Sequence, residues 1–105
     1  MMDAGEKTTA LLAALWVRVR PLVEERLETL DRAAAAAAVG ALPDALRMEA
    51  ASSAHKLAGS LGMYGYDEGT RIARELELLL GGAQLDAAQL SGLIAELRGA
   101  ILPAA

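Results

Sequence analysis

Three breaks divide this 105-residue chain into segments of helical length. Gly40-Ala41-Leu42-Pro43-Asp44 places a glycine where a helix stops and a proline just beyond it. Gly62 to Tyr66 is a glycine-rich turn, and Gly81 to Leu85 interrupts the chain a third time. Between the breaks, apolar residues recur with the spacing of one helix face. The residue types agree with that period. Hydrophobic residues are 54% of the chain, yet phenylalanine is absent and alanine and leucine dominate, so helix propensity is strong and strand propensity weak.

The first segment carries Leu11, Leu12, Leu15, Trp16 and Val19 after a candidate N-cap at Thr8 or Thr9. Proline fits best in a first turn, so Pro21 predicts a short helix to about Arg20 and a longer one from about Pro21 to Val39. Leu22, Val23, Leu27, Leu30 and Ala34 form the stripe of the longer helix, and Ala33 to Ala38 is ordinary helix by propensity. The next helix runs from about Asp44 to Leu61. Asp67 is a candidate cap for a helix ending near Gly81-Gly82, with Ile72, Leu76, Leu79 and Leu80 inward. Asp86 can cap the last helix, whose stripe is Leu90, Leu93, Ile94, Leu97 and Ile101. Short connections make sequence neighbours antiparallel. The expectation is an all-α, antiparallel up-down four-helix bundle with a short extra N-terminal helix over one end. Residues 1–105 form a single domain, with residues 1–7 frayed.

Several function classes are disfavoured. A net charge of −4 does not suit nucleic acid, whose phosphates call for clustered lysine and arginine. No run of about eighteen apolar residues suggests a membrane span. The start, Met1-Met2-Asp3-Ala4-Gly5-Glu6-Lys7, lacks the order of a signal peptide. Without cysteine there is no disulfide or thiolate, and one histidine makes no metal-binding cluster. A cytoplasmic domain with no nucleic-acid or membrane partner, no metal and no bound cofactor is expected.

That one histidine, His55, lies in Ala54-His55-Lys56-Leu57-Ala58-Gly59-Ser60-Leu61-Gly62-Met63-Tyr64-Gly65. Glycine follows it at four, seven and ten positions, although each interior glycine costs a helix roughly 0.5–1 kcal/mol relative to alanine. At ~100° per residue, Leu46, Ala50, Ala54, Leu57 and Leu61 fall within about 80°, and His55 lies roughly 140° from the centre of that stripe. It therefore faces outward. Met48, Ala51, Ser52, Ala58, Gly59 and Gly62 share its side and none is charged, which reads as a docking face. Ser52 and Ser60 imply no nucleophile with an oxyanion hole. What remains is imidazole acting as a nucleophile toward a group held by another protein; a histidine side chain ordinarily titrates near pH 6.5.

The segment from Ala54 to Gly65, continued by Ile72-Ala73-Arg74-Glu75-Leu76-Glu77, closely resembles the signature of histidine-containing phosphotransfer (HPt) domains. The motif covers about residues 46 to 80 and the layout covers the chain. The resemblance implies a phosphoryl carrier with no catalysis of its own, working in a bacterial-type two-component phosphorelay. His55 would exchange a phosphoryl group at Nε2 with the aspartate of a response-regulator receiver domain. The receiver, including that of a hybrid histidine kinase, would supply the aspartate and Mg²⁺. A monomer is expected.

Related domains often carry lysine three residues after the histidine, where this chain has Ala58; Lys56, about 100° round the helix, is the candidate substitute. Together Lys56, Gly59 and Gly62 are the expected neighbours of the phosphate. Glu77 stands where relatives carry Glu or Gln that orients the ring, and Arg71 and Arg74 could add positive potential. Two alternatives are an HPt-like module that binds without phosphotransfer and a histidine-kinase dimerisation fragment. The latter typically has an acidic residue after its histidine and an ATP-binding domain following, whereas here Lys56 follows and no such domain does.

Overall fold

The computed structural model describes residues 3–101 and is all-helical, as the sequence predicts. Four helices follow one another: α1 Ala4–Ala38, α2 Asp44–Leu61, α3 Asp67–Gly81 and α4 Ala87–Ile101, with a one-turn 3-10 helix at Gly62–Tyr64. Each helix packs on its sequence neighbours and α4 closes back on α1, while the backbones of the diagonal pairs α1–α3 and α2–α4 stay apart among the described residues. That is the ring of an up-down four-helix bundle.

The helix ends follow their residue types. Gly40, at φ +69°, lets the chain leave α1: its N–H reaches the Ala37 carbonyl at 3.0 Å and the Ala41 N–H reaches Ala36 at 2.9 Å. This paired return satisfies carbonyls that a helix end otherwise leaves orphaned. Asp86 caps α4 as expected, its Oδ1 accepting the Ala88 and Gln89 N–H groups at 2.9 and 3.1 Å. Asp67 does not cap α3. It is the first helical residue, and the cap position is Tyr66, which makes no side-chain cap bond.

The largest departure from expectation is at the N-terminus. Pro21 lies inside one continuous helix of 35 residues, so the separate short helix does not exist. Proline removes one backbone donor and crowds the carbonyl four residues back, here Val17. Both residues are on the exposed side, where that carbonyl is open to water. The helix also starts at Ala4, so Ala4 to Lys7, expected to fray, are helical; Met1 and Met2 lie outside the described residues. Asp3 is the cap, its Oδ1 accepting the Glu6 N–H at 2.8 Å. Thr8 and Thr9 instead donate their hydroxyls to carbonyls four residues back, as threonines inside a helix do.

A helix of 35 residues spans roughly 52 Å and its partners only about 22–27 Å. The N-terminal part of α1 therefore overhangs, and the molecule is 57 Å long but 22 Å wide. Where α1 passes the end of the bundle, Trp16 packs on Tyr64 and Tyr66, with ring centroids 5.4 and 4.7 Å apart. Buried α1 residues begin at Val23 and continue with Leu27, Leu30 and Ala33; Leu22 is exposed and Ala34 half-buried.

The core joins these to Leu57, Leu61, Ile72, Leu76, Leu80, Leu90, Leu97 and Ile101. Polar clamps tie the helices at their edges. Arg98 grips Asp31 with two bonds of 2.7 and 2.6 Å, holding α4 to α1. The Arg47 guanidinium donates to the carbonyls of Leu80 and Gly82, fastening α2 to the end of α3.

Glycines in this bundle serve opposite ends. A Cβ at Gly69 would stand 2.6 Å from Ile101 Cγ2 and 3.2 Å from Leu61 Cδ1, whereas one at Gly92 or Gly99 meets nothing within 4 Å. Gly69→Ala should therefore lower the melting temperature by several degrees, because overpacking costs about 1–3 kcal/mol. Gly99→Ala should raise it, by about 0.5–1 kcal/mol of helix propensity. Thermal melts of the two variants check the contrast, and equal shifts would contradict it.

Candidate functional site

α2 runs between two neighbours, α1 and α3, so more of its surface is buried than one stripe. Ala50, Ser53, Ala54, Leu57, Ala58 and Leu61 are buried, and at ~100° per residue they span about 140°. His55 lies roughly 60° beyond the Ala58 edge of that arc. It occupies the shoulder of α2 next to α3, and its side chain is 75% exposed. There Nδ1 meets Glu77 Oε2 of α3 at 2.6 Å. A carboxylate only accepts, so Nδ1 carries the hydrogen and the lone pair is left on Nε2.

Most residues of the expected docking face are exposed. Met48, 72% exposed, and Ser52, Gly59 and Gly62 lie on the surface. Ala51 is half-buried against the core. Ala58 does not belong to the face: it is 8% exposed, inside the seam where α2 meets α3. The seam is tight because small residues line both sides, Ala54 and Ala58 on α2, Gly69 and Ala73 on α3. The sequence stripe was drawn for one neighbour, and α3 covers the adjoining arc as well.

Lys56 is not brought to the imidazole. It lines the groove between α1 and α2 with Glu25, Arg26, Glu49 and Ser52, on the opposite shoulder from Glu77. It forms no ion pair among the described residues. Arg71 is engaged elsewhere, held by Glu68 and Glu75 on its own helix, and its guanidinium holds the Glu68 carboxyl below the usual carboxylate range. Gly59 has open space where a Cβ would stand, and a Cβ at Gly62 would stand 3.4 Å from Thr70 Oγ1 across the seam. Leu78, 76% exposed one residue beyond Glu77, was not picked out as a surface residue. It stands outside the stripe of Ile72, Leu76, Leu79 and Leu80 expected to face inward.

The chain belongs to the Hpt domain family, the phosphotransfer modules of two-component phosphorelays, whose model matches residues 14–101. It is also similar to Protein RcaC of Microchaete diplosiphon, 32% identical over 82 residues. That stretch is 78% of this chain and 13% of the relative, so the chain spans a small part of the relative's length. No solved structure matches. Among the described residues, no helix is long and apolar enough to cross a membrane.

The hydrogen bond to Glu77 should set the imidazole tautomer. Nitrogen-15 spectra of the neutral ring should show the Nδ1–H form dominant in the wild type, and Glu77→Leu should remove that preference without unfolding the bundle. A ring carrying its hydrogen on Nε2 in the wild type would contradict the geometry.

Proposed function

We propose that His55 is the phosphoacceptor of this Hpt domain, exchanging a phosphoryl group with the aspartate of a receiver domain. The observation that supports this most directly is the asymmetry of the ring: Nδ1 is tied to Glu77 while the other edge faces solvent. The Nε2 lone pair forms the new N–P bond as the P–O bond of the aspartyl phosphate breaks, its electron pair leaving on the carboxylate oxygen. No proton needs to leave Nε2. The ring becomes a phosphorylated imidazolium whose Nδ1–H is hydrogen-bonded to Glu77, and the carboxylate stabilises that positive charge. In the reverse direction the same bond helps hold the ring ready to give the phosphoryl group back.

Everything else the reaction needs is position and charge. Mg²⁺ belongs to the receiver in this reading, and this chain holds no cofactor for the transfer. Gly59 and Gly62 keep the lane beside His55 clear for the receiver, and Met48 and Ser52 form part of the surface it meets. Lys56 is a flanking charge on the far shoulder. The carrier acts as a stoichiometric partner, not as a catalyst.

Replacing His55 by Gln should abolish labelling by a phosphorylated receiver while the far-ultraviolet circular dichroism stays unchanged. In the wild type the label should be lost in acid and kept in base, as a phosphoramidate behaves. Label persisting in His55→Gln would overturn the assignment. Gly59→Leu separates fold from function: it should stabilise the free domain, by up to about 0.8 kcal/mol, and sharply reduce transfer. A melt and a transfer assay on that one variant check both signs; a lowered melting temperature or undiminished transfer would contradict the open-lane role.

A further inference from the structure

A phosphoryl group on His55 brings a charge of about −1.5 to −2 to a place that already holds the Glu77 carboxylate. Some cation must offset it, and α2 offers none on that side: Ala51, Ser52, Ala58 and Gly59 surround the imidazole. The register of α2 against α3 shows where a cation stands. His55 faces Glu77, and seven residues further along α2, Gly62 faces Thr70, seven residues back along α3. The two helices are antiparallel and keep that register between the pairs. Three residues on from His55, Ala58 therefore lies opposite Arg74.

Arg74 is exposed, one turn before Glu77 on α3 and roughly 60° further round toward solvent, just outside the shoulder that Glu77 marks. Its axial distance from the His55 level is about 4.5 Å, three residues at helical rise. Packed helix axes are about 8–10 Å apart, a gap an arginine side chain can bridge. Arg74 is also uncommitted. The acid at pairing distance on its own helix is Glu77, three residues on, and Glu77 is held by His55. Arg71, one turn back, is neutralised by Glu68 and Glu75. Arg74 enters no ion pair among the described residues.

We propose that Arg74, reaching across the α2–α3 seam over Ala58, is the phosphate-binding cation of this domain. The small Ala58 leaves the seam clear for the guanidinium, whose planar fork matches two phosphoryl oxygens. Lys56, across on the α1 shoulder beside Glu25 and Glu49, has a lesser part. This inference rests on His55 as the phosphoacceptor.

The test labels the whole domain with potassium phosphoramidate and follows the phosphohistidine by phosphorus-31 spectroscopy against pH, beside transfer assays with a phosphorylated receiver. Arg74→Ala should raise the second pKa of the phosphoryl group by roughly half a unit, the scale of one exposed ion pair. Transfer should slow about threefold to tenfold, Arg74→Glu should be slower still, and Arg74→Lys should keep most of the rate. Lys56→Ala should stay within about twofold of wild type by the same barrier relation. An unchanged phosphoryl titration in Arg74→Ala, or a larger loss in Lys56→Ala, would overturn the inference with His55 still labelled. Failure of the wild type to label, or label persisting in His55→Gln, would overturn the phosphoacceptor reading instead.

Discussion

The close approach of α2 and α3 governs the site. Ala54 and Ala58 on one side and Gly69 and Ala73 on the other let the two helices meet without large side chains between them. Only with the helices this close can a glutamate on α3 span to a histidine on the shoulder of α2. The packing also fixes the register, because Leu57, Leu61, Ile72 and Leu76 bury on either side of the seam. A slip by one residue would swing Glu77 about 100° away from the ring. The geometry at His55 is thus set by hydrophobic packing a few ångströms beneath it.

That dependence explains the size of the exposed ring's task. His55 buries little of itself, so its orientation comes from one hydrogen bond and the rigidity of the helix below. The clamps at the ends of the bundle preserve that rigidity. Arg47 holds the start of α2 to the end of α3, and Tyr66 N–H closes on the Leu61 carbonyl at 3.1 Å where α2 turns into α3. Gly65, at φ +84°, permits that turn. The two helices carrying His55 and Glu77 are consequently fastened to each other at both ends, with the hydrogen-bonded pair between.

Much of this was legible in the sequence, and the exceptions have physical causes. The bounds of α2, the stripe of α4 and the exposure of His55 follow from periodicity, because each depends on residues within one helix. Pro21 misled because proline's local preference for a first turn is overridden when the carbonyl it orphans points to water. Asp67 misled because a capping residue type is common in first turns as well as at caps. Ala58 was misplaced for a different reason. A single helical wheel carries no information about how many neighbours a helix has, and α2 has two. The distance between His55 and Glu77, 22 residues apart in the chain, is a tertiary quantity. It could be expected only from resemblance to a family, and no spacing rule within α2 contains it.

The glycines show how one residue type can answer two opposed demands. At Gly69 the space is already full, and the missing side chain is what lets α3 close on Leu61 and Ile101. At Gly59 the space is empty, and the packing of the free domain gives no reason for glycine there. An alanine would favour the helix by roughly 0.5–1 kcal/mol. Under the phosphoacceptor proposal, a penalty retained on the surface one turn from His55 keeps room for a molecule that is not part of the fold. Gly69 serves the bundle and, in that proposal, Gly59 serves the approach of a partner. The difference is invisible in the letters and plain in what surrounds them.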